Sequence, residues 1–201
     1  MCHCINLDGF KYFKRNLTIE LAGHTKTGEQ MYNEEITRED SISDIIRKVT
    51  AKNAKSLDET EKLMDVETLQ ACVKLMDNAH NIILVGMGAS LVALRDLYLK
   101  LLRISRPCTI NDDWHSQLLS CRNSTANDVA IVCSNSGNTS EVLTCMNALK
   151  ENLTPVIAIT RCVDTPVSKL ADYKLYTTEN ESILRTAAIS SRISQLNIID
   201  I

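Results

Sequence analysis

From Asn81 onward the hydrophobic positions fall in short unbroken runs, separated by stretches in which they recur every three or four residues. The runs Asn81 to Val85, Cys108 to Ile110, Val129 to Cys133, Pro155 to Thr160 and Tyr173 to Tyr176 predict five strands. A continuous apolar run, as opposed to an alternating one, belongs to a strand covered on both faces. The intervening pattern predicts helices. Leu94, Leu97, Tyr98, Leu101 and Leu102 mark one, Trp114 to Cys121 another with Leu118 inward, and a third follows Thr139 as far as about Leu149. A helical turn over Val167 to Ala171 and a long final helix over Leu184 to Ile201 complete the series. Strand and helix in alternation predict an α/β fold with an open, parallel, doubly wound sheet of five strands, whose ligands collect at the carboxyl ends of the strands.

Ahead of the sheet the spacing is helical throughout. Leu7, Phe10, Phe13, Leu17 and Leu21 share one face of a small N-terminal segment, with Lys11, Lys14 and Arg15 opposite. Those basic residues fit a solvated face or a remnant of a nucleic-acid contact. The polar stretch Gly23 to Glu35 reads as a linker, which divides the chain into 1–35 and 36–201. Asp40 or Ser41 then caps a helix carrying Ile42, Ile45, Ile46 and Val49, and Asp65 caps a second with Leu69, Cys72, Val73 and Met76 inward.

Composition narrows the possibilities. In 201 residues, 44% hydrophobic content suffices for a sizeable core, and a net charge of −3 supplies no overall basic field for nucleic acid. The eight cysteines are scattered through apolar runs, as free thiols are in a reducing compartment, which points to the cytoplasm. Cys2-His3-Cys4 has poor spacing for zinc and no second pair nearby, so no metal site is expected. No apolar run approaches the roughly 18 residues of a membrane span, and no membrane partner is expected.

Candidate chemistry sits after two of the strands. Ser134-Asn135-Ser136-Gly137-Asn138-Thr139 places three hydroxyls and a glycine between a strand and a helix, where backbone N–H groups and the helix dipole favour an anion. Taken alone it is readable as an ordinary polar turn with an N-cap. Gly86-Met87-Gly88-Ala89-Ser90 follows the first strand; it lacks the third glycine of a dinucleotide fingerprint, and the chain has no Gly-Lys-Ser or Gly-Lys-Thr of a Walker loop, so no nucleotide cofactor is expected. Together the two loops favour a small phosphorylated ligand.

The pair of loops, with Ser140 and Glu141 continuing the second, resembles the sugar isomerase (SIS) domain, whose Ser-x-Ser-Gly-x-Thr loop binds the phosphate of phosphosugars. Asp113 to Leu118, the strand end Ala158-Ile159-Thr160, and Arg185 to Leu196 with Ile199-Asp200 resemble the RpiR-type transcriptional regulators. In these, an N-terminal helix-turn-helix domain is joined to an SIS domain that senses a sugar phosphate. Leu7 to Lys14 is similar to the end of that DNA-binding domain. The resemblance implies a flavodoxin-like SIS sheet over 36–201, a remnant of the helix-turn-helix over 1–35, and a homodimer or tetramer. It implies a phosphosugar held by Gly88, Ser90, Ser134, Asn135, Ser136, Gly137 and Thr139, with His115 and Glu181 beside it. It also implies that most of the helix-turn-helix would lie before Met1, so that operator DNA is a partner of a full-length form and this chain binds it poorly; the end at Ile201 is early as well.

An isomerase or lyase of the same superfamily is the alternative to a sensor. It needs a general base beside the sugar carbons, for which His115, Glu179 and Glu181 are candidates. The regulator-like stretches favour a sensor with no catalytic residue.

Overall fold

Ile82, Ile83, Leu84 and Val85 are each no more than 3% exposed. Side chains of such a run point alternately up and down, so all of them find cover only where helices lie on both faces of a sheet. The computed structural model, which describes residues 36–178 and 189–201, builds that arrangement from five strands and seven helices among the described residues. In chain order these are α1 (Ile42–Glu61), α2 (Val66–Asn78), β1 (Ile82–Gly86), α3 (Ala89–Arg103), β2 (Cys108–Ile110) and α4 (Trp114–Arg122). They continue with β3 (Val129–Cys133), α5 (Ser140–Glu151), β4 (Val156–Arg161), α6 (Pro166–Leu170), β5 (Tyr173–Thr177) and α7 (Ile189–Asp200). The chain divides into two compact units, Met1–Lys55 and Ser56–Ile201, with the division inside α1.

All strand pairs are parallel, in the order β2-β1-β3-β4-β5. The chain therefore starts in the sheet at β1, steps outward to β2, and returns across β1 to build the other half. That reversal leaves a crevice at the carboxyl ends of β1 and β3. The two strands are in register from Ile82 against Val129 to Gly86 against Cys133, so the two loops identified in the sequence leave the sheet from paired positions.

Each face has its own core. On one, Ile83, Val85, Ala130 and Val132 pack with Leu118, Val142, Met146 and Leu149 of α4 and α5. On the other, Ile82, Leu84, Ile131 and Ile157 pack with Cys72, Leu94, Leu97 and Ile198 of α2, α3 and α7. Side-chain caps set several helix starts: Asp65 accepts from the Thr68 N–H at 2.8 Å, Asp113 from the Ser116 N–H at 2.9 Å, and Thr165 from the Ser168 N–H at 3.1 Å.

The predicted elements are present with shifts of a residue or two at their ends. Val73 and Leu102, expected inward, are instead 57% and 48% exposed, because a helix on a sheet buries a narrower stripe than its apolar residues span. The first part of the expected final helix, before Ile189, and the N-terminal segment with Cys2 and Cys4 lie outside the described residues. No described helix is long and apolar enough to cross a membrane.

Candidate functional site

Both candidate loops owe their shape to a glycine that no other residue would replace freely. Gly88 takes φ +56° at the N-cap of α3, and nothing lies within 4 Å of where its Cβ would be. It is exposed and leaves open space over the first turn of the helix. Gly137 takes φ +65°, and a Cβ there would run into the side chain of Thr165. The Gly137 carbonyl accepts from the Val167 N–H at 3.2 Å, so the turn rests on the start of α6. Positive φ is costly for residues bearing a Cβ, which explains glycine at both places.

Between Ser134 and Thr139 the backbone turns so that the Ser136 and Thr139 hydroxyls meet. The Ser134 N–H donates to the Ile159 carbonyl at 3.0 Å, extending the ladder between β3 and β4 and burying Ser134 to 4% exposure. Ser136 Oγ accepts from the Asn138 N–H at 3.3 Å and lies 3.4 Å from Thr139 Oγ1. Thr139 is the N-cap of α5 but makes no side-chain capping bond. The helix therefore opens without the cap that α2, α4 and α6 possess, and its N-terminal N–H groups and dipole face the loop. Glu141 in the first turn is a competitor: its own N–H and the Ser140 hydroxyl, at 2.9 Å, hold its carboxyl below the usual carboxylate range. An anion seated here shares the helix end with that charge.

His115 is exposed in the first turn of α4, its ring edge-on to Trp114 at a centroid distance of 5.7 Å. Because α4 follows β2, it stands at the same end of the sheet as the two loops. Gly88 and Ser90, Ser134 to Thr139, and His115 thus gather at the carboxyl ends of three neighbouring strands, β1, β3 and β2. Glu181, like Glu179, lies outside the described residues.

Three bracing residues were not singled out by sequence reasoning. Gln117, 1% exposed, bonds both backbone groups of Gly86; Gln195, 1% exposed, donates to Ser90 Oγ at 3.2 Å; and Thr165 backs Gly137. A glutamine amid apolar helical positions, as in Gln117-Leu118 and Gln195-Leu196, was the available signal. Among the described residues no group of three or more His, Cys, Asp or Glu is placed to hold a metal. An apolar cavity of about 340 Å³ between α2, α3, α7 and the sheet is lined by Leu69, Met76, Ile131 and Ile198, with little polar surface to orient a sugar.

A parallel five-stranded sheet with paired glycine-bearing loops at its switch point defines the class of SIS-type α/β domains, and the SIS domain model matches residues 75–201. An uncharacterised HTH-type transcriptional regulator of Caldanaerobacter subterraneus subsp. tengcongensis is 34% identical over 200 residues, covering 100% of this chain and 70% of the relative. The chain belongs to the family of SIS-domain, HTH-type transcriptional regulators. The NanR protein of Vibrio vulnificus, solved complexed with ManNAc-6P, superposes with a TM-score of 0.74 at 25% identity, covering 99% of this chain and 69% of that one. The sugar isomerase domain of an RpiR transcription factor from Sphaerobacter thermophilus shares the fold, with a TM-score of 0.67 at 21% identity over 75% of this chain and 84% of that one.

Proposed function

We propose that the unit within 36–201 binds a sugar phosphate as an effector, its phosphate on Ser134, Ser136 and Thr139 and the uncapped start of α5. Gly88 and Ser90 close the pocket from β1, Asn135 and Gly137 shape it, and His115 and Glu181 meet the sugar. One observation carries this reading: α5 opens without a side-chain cap where the Ser136 and Thr139 hydroxyls meet, on the loop whose paired strand leads to the open space over Gly88. Neutral donors and a dipole hold phosphate reversibly, which suits a signal that comes and goes.

The rest of the reading concerns the assembly. Residues 1–35 belong to the DNA-binding side of the protein, and operator DNA is met by a chain carrying a whole helix-turn-helix, since base reading needs its recognition helix. The unit pairs as a homodimer or tetramer, which the exposed apolar residues Val92, Leu99 and Leu102 of α3 support. The protein works in the cytoplasm; the six described cysteines are all free thiols, as a reducing compartment keeps them.

Incubation with a panel of sugar phosphates, followed by NMR, separates sensor from enzyme. The expected result is binding with every ligand recovered unchanged. Conversion that disappears in Glu181→Ala would identify an isomerase or lyase instead.

A further inference from the structure

The buried stripe of α7 changes character along its length. Ser190, Ser191, Ser194 and Gln195 are 3%, 3%, 0% and 1% exposed, and one turn later Ile198 and Ile199 take over at 6% and 9%. The direction of the helix is fixed at two points: Gln195 meets Ser90 in the first turn of α3, and Asp200 pairs with Lys100 near its end. Thus α7 runs alongside α3 in the same sense. Its polar half lies toward the carboxyl ends of the strands, and its apolar half packs over their beginnings.

That polar half is only partly satisfied: Ser194 Oγ donates to the Ser56 carbonyl at 3.4 Å and Gln195 Nε2 donates to Ser90. Ser190 Oγ and Gln195 Oε1 are buried without a hydrogen-bond partner among the described residues. So is Thr177 Oγ1, whose residue is 0% exposed at the last position of β5, on the face of the sheet that α7 covers. A buried polar atom left unmatched costs about 1–3 kcal/mol, and apolar residues such as those in the other half of α7 would avoid that cost. Hydroxyl and amide groups held ready beside a binding loop match a ligand that brings its own donors and acceptors. Ser190, Gln195 and Thr177 carry no charge, while Arg161 Nε at the end of β4 is likewise buried without a partner.

We infer that Gln195 and Ser190 on the polar half of α7 form the wall that reads the uncharged hydroxyl or acylamino groups of the effector's sugar end, joined to the phosphate side through the Gln195–Ser90 bond. The inference rests on the phosphosugar reading above and adds the part of the pocket that selects among sugars. Ser90 is the link: it accepts from Gln195 and follows Gly88 directly into α3, so occupancy of the loop and of the wall are mechanically coupled. The chemical class is a phosphorylated neutral polyol or N-acylamino sugar.

The test is a calorimetric titration of wild type, Gln195→Met, Ser190→Ala and Ser136→Ala with two probes: inorganic phosphate, and the tightest binder from a panel of hexose, pentose and N-acetylhexosamine phosphates that includes ManNAc-6P. Thermal unfolding checks that each variant is folded, and Ser190→Ala alone decides if Gln195→Met does not fold. Ser190→Ala is expected to lose about tenfold in affinity for the sugar phosphate, as for one hydrogen bond, and to keep wild-type affinity for inorganic phosphate, whereas Gln195→Met, which also releases Ser90, is expected to lose more affinity for the sugar phosphate than for inorganic phosphate. Folded wall variants that bind the sugar phosphate like wild type, or that lose both probes in proportion, overturn the inference while leaving the phosphate loop in place. A wild type that binds no sugar phosphate overturns the phosphosugar reading, and the wall with it.

Discussion

Gln117 clasps Gly86 by both of its backbone groups: the Gly86 N–H donates to Oε1 at 3.1 Å and Nε2 donates to the Gly86 carbonyl at 3.0 Å. The same Nε2 donates to the Asn111 carbonyl at 2.9 Å. One side-chain amide therefore continues the sheet's hydrogen bonding past the point where β2 has ended, and fixes where the Gly86 to Ser90 loop departs. Gln117→Met keeps the volume but strands these buried groups. It is expected to lower unfolding stability by about 2–4 kcal/mol, from roughly 1–3 kcal/mol per stranded group. Urea unfolding measures this; a loss under about 0.5 kcal/mol would show that Gly86 does not depend on the clasp.

The two positive-φ glycines separate structure from binding. Gly137→Ala adds a Cβ against the Thr165 side chain at φ +65°, whereas Gly88→Ala meets nothing within 4 Å at φ +56°. Both carry a backbone penalty of about 1–3 kcal/mol, and only the first adds a clash. Thermal unfolding is expected to show the larger drop for Gly137→Ala. Gly88→Ala should lose no more than its backbone penalty in stability while weakening ligand binding, because the new methyl occupies the open space over α3.

Cys133, between β3 and the candidate loop, responds to alkali. Burial pushes its thiol up to about 12 from an ordinary 9.0. A raised pKa means that the folded chain keeps a proton the unfolded chain has released. Its contribution is therefore fully present below the ordinary thiol value and is lost as pH rises toward the folded one. Stability in urea should fall above about pH 9, with this thiol contributing about 1.4 kcal/mol per pH unit. Cys133→Ala should be less stable at neutral pH yet show a shallower alkaline decline. An unchanged slope would mean that the thiol ionises in the folded protein as readily as in the unfolded one.

Ile82 to Val85 and Val129 to Cys133 were legible as strands because an unbroken apolar run admits few other arrangements, and the strand-helix alternation then fixed a parallel sheet. The two glycine loops were legible for the same reason, since each directly follows such a run. Strand order was not written in any single stretch; that β1 and β3 adjoin, so that their loops share a crevice, depends on pairings between distant segments. Gln117, Gln195 and Thr165 escaped because their importance lies in what they touch. Each is an unremarkable polar residue until the fold brings it against Gly86, Ser90 or Gly137. Val73 and Leu102 were misplaced because helical spacing marks which residues share a side, without saying how wide a stripe the sheet covers.

The central claim is that the loop from Ser134 to Thr139 holds the phosphate of a sugar phosphate, and affinity measured on Ser136→Ala tests it most directly. Calorimetric titration of wild type and variant with the best-binding sugar phosphate, and with the same sugar lacking phosphate, should show binding of the phosphorylated form alone. The variant should be weaker by about 1.5–3 kcal/mol, the contribution of a hydrogen bond to a charged group. Equal affinity of wild type and Ser136→Ala, or equal binding of the unphosphorylated sugar, would contradict it.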